Sequence, residues 1–344
     1  MSRYIITLKP VDKFFFGGDM TFSVGNNLRD KYNREYSSYI IESAYFPQQT
    51  SLLGMMRFLL LRNDAGCFDG TRITDTAKAT ELIGEGGFGQ GRAYGKIKSL
   101  GHCFIRDCRE NKDYHFAPYD SDYAVHAVED TCLVNGREVR LHKIEGFSSK
   151  DGYKKYLECG SEKKEVSSFF VQDRRIGINR DIKTGKTEDA ALFKQVGYRF
   201  SDSCYAFAFN VETEVVILPY NGQMVSLGAD NSLFVIGIDN APMDVNDGCG
   251  ALKVTLLSPA RLLSKDMDNV AFCMTEVMPF RYLRSTVHTK SYNILHGQLS
   301  RSERIEMYAP GSVFYFSSET DAEAFRTALK SYEDFRRIGY NEYK

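Results

Sequence analysis

Hydrophobic and polar positions alternate with period two at the start of the chain. Tyr4, Ile6 and Leu8 interleave with Ile5 and Thr7, which predicts a strand over residues 3–8. Phe14, Phe15 and Phe16 form an apolar block ending at Gly17 and Gly18, and the polar stretch from there to residue 38 reads as a loop. Residues 40–46 lead into Pro47. Thr50 or Ser51 then caps a helix to about residue 62, with Leu52, Leu53, Met56, Leu59 and Leu60 on or near one face. A short helix follows over 76–83. Residues 93–105 read as strand or hairpin, and 110–165 as polar and irregular with weak strands around 132–141. Strands are predicted over 168–179, 203–211, 214–218, 232–238, 252–257 and 312–316. A short helix is predicted over 259–264, and a last helix over 321–335 capped by Asp321. Such irregular alternation suits an α+β fold with helices on one sheet face.

Composition narrows this picture. A chain of 344 residues with 43% hydrophobic residues can bury two cores and is not a disordered chain. Residues 1–10 hold no leader-like apolar run. The longest apolar run, 52–61, is broken by Gly54 and Arg57 and is too short to cross a bilayer. The expectation is a cytoplasmic protein without a membrane partner. Eight cysteines without a C-x-x-C pair read as free thiols. The acidic cluster Asp120, Asp122, Glu129 and Asp130 reads as solvated charge, so no metal and no cofactor is expected.

Two phosphate-binding signatures fail on context. Gly84, Gly86 and Gly89 match a dinucleotide fingerprint, but a helix precedes them and a strand follows, the reverse of what the fingerprint needs. The run Thr184-Gly185-Lys186-Thr187 ends like a phosphate loop, but Arg180 stands where its first glycine belongs.

The net charge of −1 means that any nucleic-acid surface is local or shared with partners. Three segments, 89–106, 174–199 and 281–304, each carry a net charge of +4. If two converge in space, they make a phosphate track.

Several stretches in order resemble a known family, the third Cmr subunit of type III-B CRISPR complexes, within the RAMP superfamily. Residues 8–19 (LKPVDKFFFGGD) are similar to its opening strand and D-x-x-F-F-R-D-G loop, with Gly17 where the family often has Arg. Residues 46–57 (FPQQTSLLGMMR) resemble its proline-rich loop and first helix, reduced here to one proline. Residues 94–101 (YGKIKSLG) with 116–120 (FAPYD), 175–179 (RIGIN) with 187–193 (TEDAALF), and 309–316 (APGSVFYF) complete the series.

The resemblance implies two tandem ferredoxin-like, RRM-related domains, here divided as 1–215 and 216–344, with a β-hairpin thumb near 172–195. It implies a non-catalytic subunit that binds the repeat-derived 5′ tag of the crRNA. Expected partners are that guide, nearby target RNA, the large Cas-ten subunit and the backbone RAMP subunits. On this reading Gly17 and Gly18 let the backbone approach RNA, and Gln48, Gln49, Thr50 and Ser51 offer amides and hydroxyls to phosphate. Arg57 pairs with a phosphate or an acidic neighbour. Arg174, Arg175 and Arg180 line the thumb, Ile182 is its wedge, and Lys183 and Lys186 hold flanking phosphates; Arg281 and Arg284 add a second basic segment. Two other readings stand beside it: a metal-independent RAMP endoribonuclease using His288 or His296, and a protein-only scaffold.

Overall fold

A computed structural model describes residues 1–17, 20–24, 38–85, 87–89, 91–134, 136–180, 184, 187–228, 232–241, 252–285 and 299–344. The fold is mixed α+β, with mostly antiparallel strands.

The predicted first strand spans Ser2–Pro10 and lies inside the largest sheet. It pairs antiparallel with Tyr205–Thr213 on one side and Leu233–Asn240 on the other. Beyond Tyr205–Thr213 come Ile97–Leu100 and Phe104–Asp107, then Lys112–Phe116, Tyr156–Cys159 and Glu162–Glu165. The other edge is Met224–Ser226. The sheet thus orders the supposedly irregular 110–165 region, whose remainder forms a hairpin of Ala124–Val134 with Arg137–Glu145. Most of these ladders are local hairpins, and the polar composition of their strands is what hid them.

The strand alternation sets the core. Tyr4, Ile6 and Leu8 point to one face, where they meet helix α1 (Gln49–Arg62). All five apolar positions expected on its face are buried, and so are Met55 and Leu61. Helix α2 (Thr76–Ile83) and the glycine-rich loop after it cover part of α1, so its buried surface is wider than one stripe. Full burial of each Leu or Met here contributes about 1.5–3 kcal/mol.

Other expectations shift. Gln48, not Thr50 or Ser51, is the N-cap of α1, and it makes no side-chain cap bond. No strand forms over 214–218; Leu218–Tyr220 is a 3-10 turn carrying Pro219, which has no amide to donate. Residues 259–263 are not helical, a 3-10 turn beginning only at Ser264, and Ala260 instead bridges Tyr308. The last long helix, α3 (Glu319–Ser331), starts earlier than predicted because the Ser318 hydroxyl accepts from the Asp321 amide at 3.2 Å.

A second cluster gathers Val254, Leu256, Phe314, Phe325 and Leu329 under α3. Residues 335–340 instead join the first cluster, and the segment then runs on to pair Leu256 with Tyr343.

A separate sheet carries the predicted thumb segment. Phe170–Arg180 and Thr187–Phe200 form an antiparallel hairpin, longer than the two short strands expected. Thr187–Phe200 also pairs in parallel with Ser38–Glu42, which pairs with Met20–Val24. Two strands therefore stand within or beside the stretch read as a loop. Met20, Phe22 and Val24 alternate with Thr21 and Ser23, a period-two signal that the surrounding polarity masked.

Candidate nucleic-acid interface

The loop leaving the first strand docks on the hairpin. Phe14 exchanges two backbone hydrogen bonds with Tyr198, at 2.8 and 3.0 Å. Its ring is fully buried, stacked on Phe16 and edge-on to Phe207. Gly197 permits this approach, since a Cβ there would sit 3.0 Å from the Phe14 carbonyl. The next residues reach the segment before α1: the Phe16 amide donates to the Ser43 hydroxyl at 2.9 Å, and the Ala44 amide to the Gly17 carbonyl at 3.0 Å. Gly17 has a φ of 74°, which its lack of a Cβ makes inexpensive.

This docking leaves a cleft of about 240 Å³ at the foot of the hairpin. Lys13, Phe15, Asp173, Arg175 and Gln195 are among its lining residues. Asp173 is shared: Lys13 Nζ lies 2.8 Å from its Oδ1, and Arg175 Nε 3.9 Å from the same oxygen. The Phe15 amide donates to the Ser232 hydroxyl at 3.1 Å. With Asp12 also present, the cleft holds both signs of charge, an amide side chain and an aromatic ring. Such a set can hydrogen-bond and stack on a base while cations outside it meet phosphates.

The sequence candidates divide on the structure. Arg175 lines the cleft, whereas Arg174, its neighbour in the strand, is on the opposite face, and Gly17 sits on the docked loop outside the cleft lining. Arg174 and Arg175 are exposed, and Arg174 contacts Gln172 Oε1 at 2.9 Å. Arg180 ends its strand. Gly18, Ile182, Lys183 and Lys186 lie outside the described residues, as do His288 and His296. Arg281 is exposed, and Arg284 belongs to the strand Leu283–Ser285.

Two candidates are structural instead. Arg57 is 9% exposed. Its guanidinium donates to the carbonyls of Ile83 (3.0 Å), Gly87 (2.8 Å) and Glu85 (2.6 Å) and lies over the Tyr94 ring, so it is committed to holding the glycine-rich loop. Gln49 is also buried, its Nε2 donating to the carbonyls of Gly101 (2.9 Å) and Gly339 (3.0 Å). The start of α1 faces inward: burial raises the Tyr340 hydroxyl, and the Thr50 and Gln49 amides act on it in the opposite sense. Of residues 48–51 only Gln48 is exposed.

The positive segment 89–106 is neutralised in space. Lys96 pairs with Glu81 at 2.9 Å, Lys98 with Glu214 at 2.8 Å, Arg92 with Glu85 at 3.6 Å, and Arg106 with both oxygens of Asp113. It therefore does not extend a phosphate track. Asp120 and Asp122 are engaged with lysines Lys253 and Lys163. Among the described residues no three His, Cys, Asp or Glu side chains gather as metal ligands, and no helix is long and apolar enough to cross a membrane.

Sequence reasoning passed over Lys13 and Asp173. Asp173 immediately precedes the basic segment 174–199, and nothing local marks it as the carboxylate that holds two cations.

Fold and cleft define an antiparallel α+β protein that presents a long hairpin and, at its foot, a cleft of mixed charge. The family model described as CRISPR-associated protein (Cas_Cmr3) matches residues 6–343. The chain belongs to the Cas_Cmr3 family. Two solved structures contain a chain that shares the fold at 14% identity and a TM-score of 0.55: type III-B Cmr-beta bound to cognate target RNA and AMPPnP, and type III-B Cmr-beta bound to cognate target RNA. Each match covers 99% of this chain, with 95% and 96% of the respective solved chains. No curated protein matches the sequence.

Proposed function

We propose that this chain is a non-catalytic RNA-binding subunit of a type III-B CRISPR effector complex, and that it seats the 5′ tag of the crRNA at the foot of the long hairpin. The observation that carries this is the meeting of Lys13, Phe15, Arg175 and Gln195 around one cleft. Membership of the Cas_Cmr3 family supports it. So do the chains of the same fold, which come from structures of Cmr-beta bound to target RNA.

The central strand order Leu233–Asn240, Ser2–Pro10, Tyr205–Thr213, Phe104–Asp107, with α1 lying in the chain between Ser2–Pro10 and Phe104–Asp107, supports a ferredoxin-like first domain. A 3-10 turn stands where its second helix would be. The core under α3 supports a second such domain that starts after Asn240, later than the expected division at 215, because Leu233–Asn240 belongs to the large sheet. The hairpin acts as the thumb, its far end separating tag from guide. The large Cas-ten subunit and backbone RAMP subunits flank the chain in the cytoplasm, near target RNA, and chemistry on the target belongs to them.

The test is to purify the complex and sequence its RNA. Short RNAs sharing one repeat-derived 5′ end should accompany the native chain. Arg174→Ala with Arg175→Ala should lose them and lower the slope of binding against salt by about one unit per phosphate contact. Unchanged guide retention would sink the reading. Assembly without RNA would favour the scaffold, and freshly cut RNA dependent on His288 or His296 a nuclease.

A further inference from the structure

We propose that Cys108 and Cys204 are a site of reversible disulfide formation, at which an oxidant of the hydroperoxide class closes a staple across the root of the long hairpin. Strands Phe104–Asp107 and Tyr205–Thr213 run antiparallel, with Ala206 opposite Arg106 and Tyr205 opposite Asp107. One step further, the same register sets Cys204 against Cys108, and the Cys108 amide donates to the Cys204 carbonyl at 2.9 Å. Directly opposed residues share a face, and a hydrogen-bonded pair holds its Cα atoms about 5.5 Å apart. A disulfide spans Cα separations of roughly 4.4–6.8 Å. The Cβ atoms of such a pair start slightly wider than the bond needs, so closure strains it and leaves it easy to reduce. Other ladders give their cysteines no such partner: Cys132 faces Val139, Cys159 faces Glu162 and Cys273 faces Phe314.

The two thiols differ in access. Cys108 is exposed, whereas Cys204 is 8% exposed. Burial raises the Cys108 thiol, while the cations Lys9 and Arg106 act in the opposite sense. Burial, and then the hydrogen bond of its thiol to Asp202, push Cys204 up to about 11. Both therefore rest as thiols, and the pair stays reduced until a hydroperoxide reaches the exposed one. The Cys108 thiolate attacks a peroxide oxygen: an S–O bond forms, the O–O bond breaks, and the thiol proton leaves with the other oxygen as water or an alcohol. The Cys204 sulfur then displaces the hydroxyl of that sulfenic acid. An S–S bond forms, the S–O bond breaks, and a water carries off the Cys204 proton. The peroxide gains two electrons, one from each sulfur.

The position gives the bond a structural consequence. Cys204 ends the turn 201–204, which joins the hairpin strand Thr187–Phe200 to the sheet strand Tyr205–Thr213. In the same turn the Ser201 amide donates to the Phe169 carbonyl and its hydroxyl to the Ser168 carbonyl, each at 2.8 Å. A disulfide at Cys204 thus fixes the base of both hairpin strands to the sheet. It also closes the excursion from 108 to 204, both hairpins included, into one loop, which removes freedom from the unfolded chain.

This goes beyond the proposed function and does not depend on RNA binding. The test is to treat the purified full chain with hydrogen peroxide, alkylate the remaining thiols and map the unreduced peptides by mass spectrometry. The expected result is the loss of two free thiols per chain, a peptide pair joined at Cys108 and Cys204, and full reversal by dithiothreitol. The oxidised chain should also melt at a higher temperature. Cys108→Ser should abolish both the joined pair and the rise in melting temperature. In Cys204→Ala, Cys108 has no thiol to resolve it and should go on to sulfinic acid. Over-oxidation of Cys108 in the native chain with Cys204 still free overturns the inference. So does either cysteine joined to a different one, or both left as thiols. Should Cys204→Ala not fold, Cys204→Ser replaces it and is read against the same outcomes.

Discussion

Lys13 and Asp173, 160 positions apart in sequence, form an ion pair of 2.8 Å that fastens the loop after the first strand to the foot of the long hairpin. Because both side chains are partly exposed, the pair contributes at most about 1 kcal/mol to folding. Its larger effect is on the charge of the cleft. Asp173→Asn removes the carboxylate that Lys13 and Arg175 share. The variant is expected to bind guide RNA more tightly at low salt, with a slope steeper by about one unit. A salt titration that leaves the slope unchanged would separate these cations from phosphate binding.

Arg57 should behave as a structural residue. Arg57→Ala leaves carbonyls of the glycine-rich loop without their buried donor, at a cost of about 3 kcal/mol. Urea unfolding should show a lower midpoint, and limited proteolysis should cut within 84–95. RNA binding by the folded fraction should be unaltered, whereas a residue contacting phosphate would change it.

Phe88 carries that same loop onto the second half of the chain. Its ring lies edge-on to Tyr282 and Phe335, each with centroids 5.1 Å away. Phe88→Ala is expected to cost about 3 kcal/mol. Hydrogen exchange should then rise at both 84–95 and 333–340, and a rise confined to the loop would refute the coupling.

His102 and His115 give the fold an acid sensitivity. Their Nε2 and Nδ1 atoms lie 2.9 Å apart, and desolvation, then the neighbouring ring, pushes His102 down to about 3. The unfolded chain takes up this proton near pH ~6.5, but the folded chain does not until the pH is far lower. Stability from this site is therefore independent of pH above that point and falls as pH drops toward 3. The melting temperature of the native chain should fall more steeply than that of His102→Gln between these limits. Parallel profiles would count against the assignment.

The first strand was legible because its alternation survives without context, and α1 because its apolar spacing is dense. What escaped depends on distant partners. Met20–Val24 alternates but is short and sits in polar surroundings. The lysines at 96 and 98 look like a basic track until Glu214, more than a hundred residues later, is placed beside them. Arg57 reads as a surface cation until the carbonyls of the glycine-rich loop close around it. Charge and hydrogen-bond capacity are visible in a sequence, but the long-range pairing that uses them is not.

The bond from Gln49 to Gly339 joins residues 290 positions apart. At synthesis rates of roughly 5–20 residues per second, about 15–60 s pass between the emergence of the two. Throughout that interval the start of α1 lacks the residues that will enclose it, and its amide groups must be met by water or by a chaperone. The first core stays open at its earliest helix until residue 339 has emerged, so a ribosome stalled before that point would display a chain whose oldest helix is still unfinished.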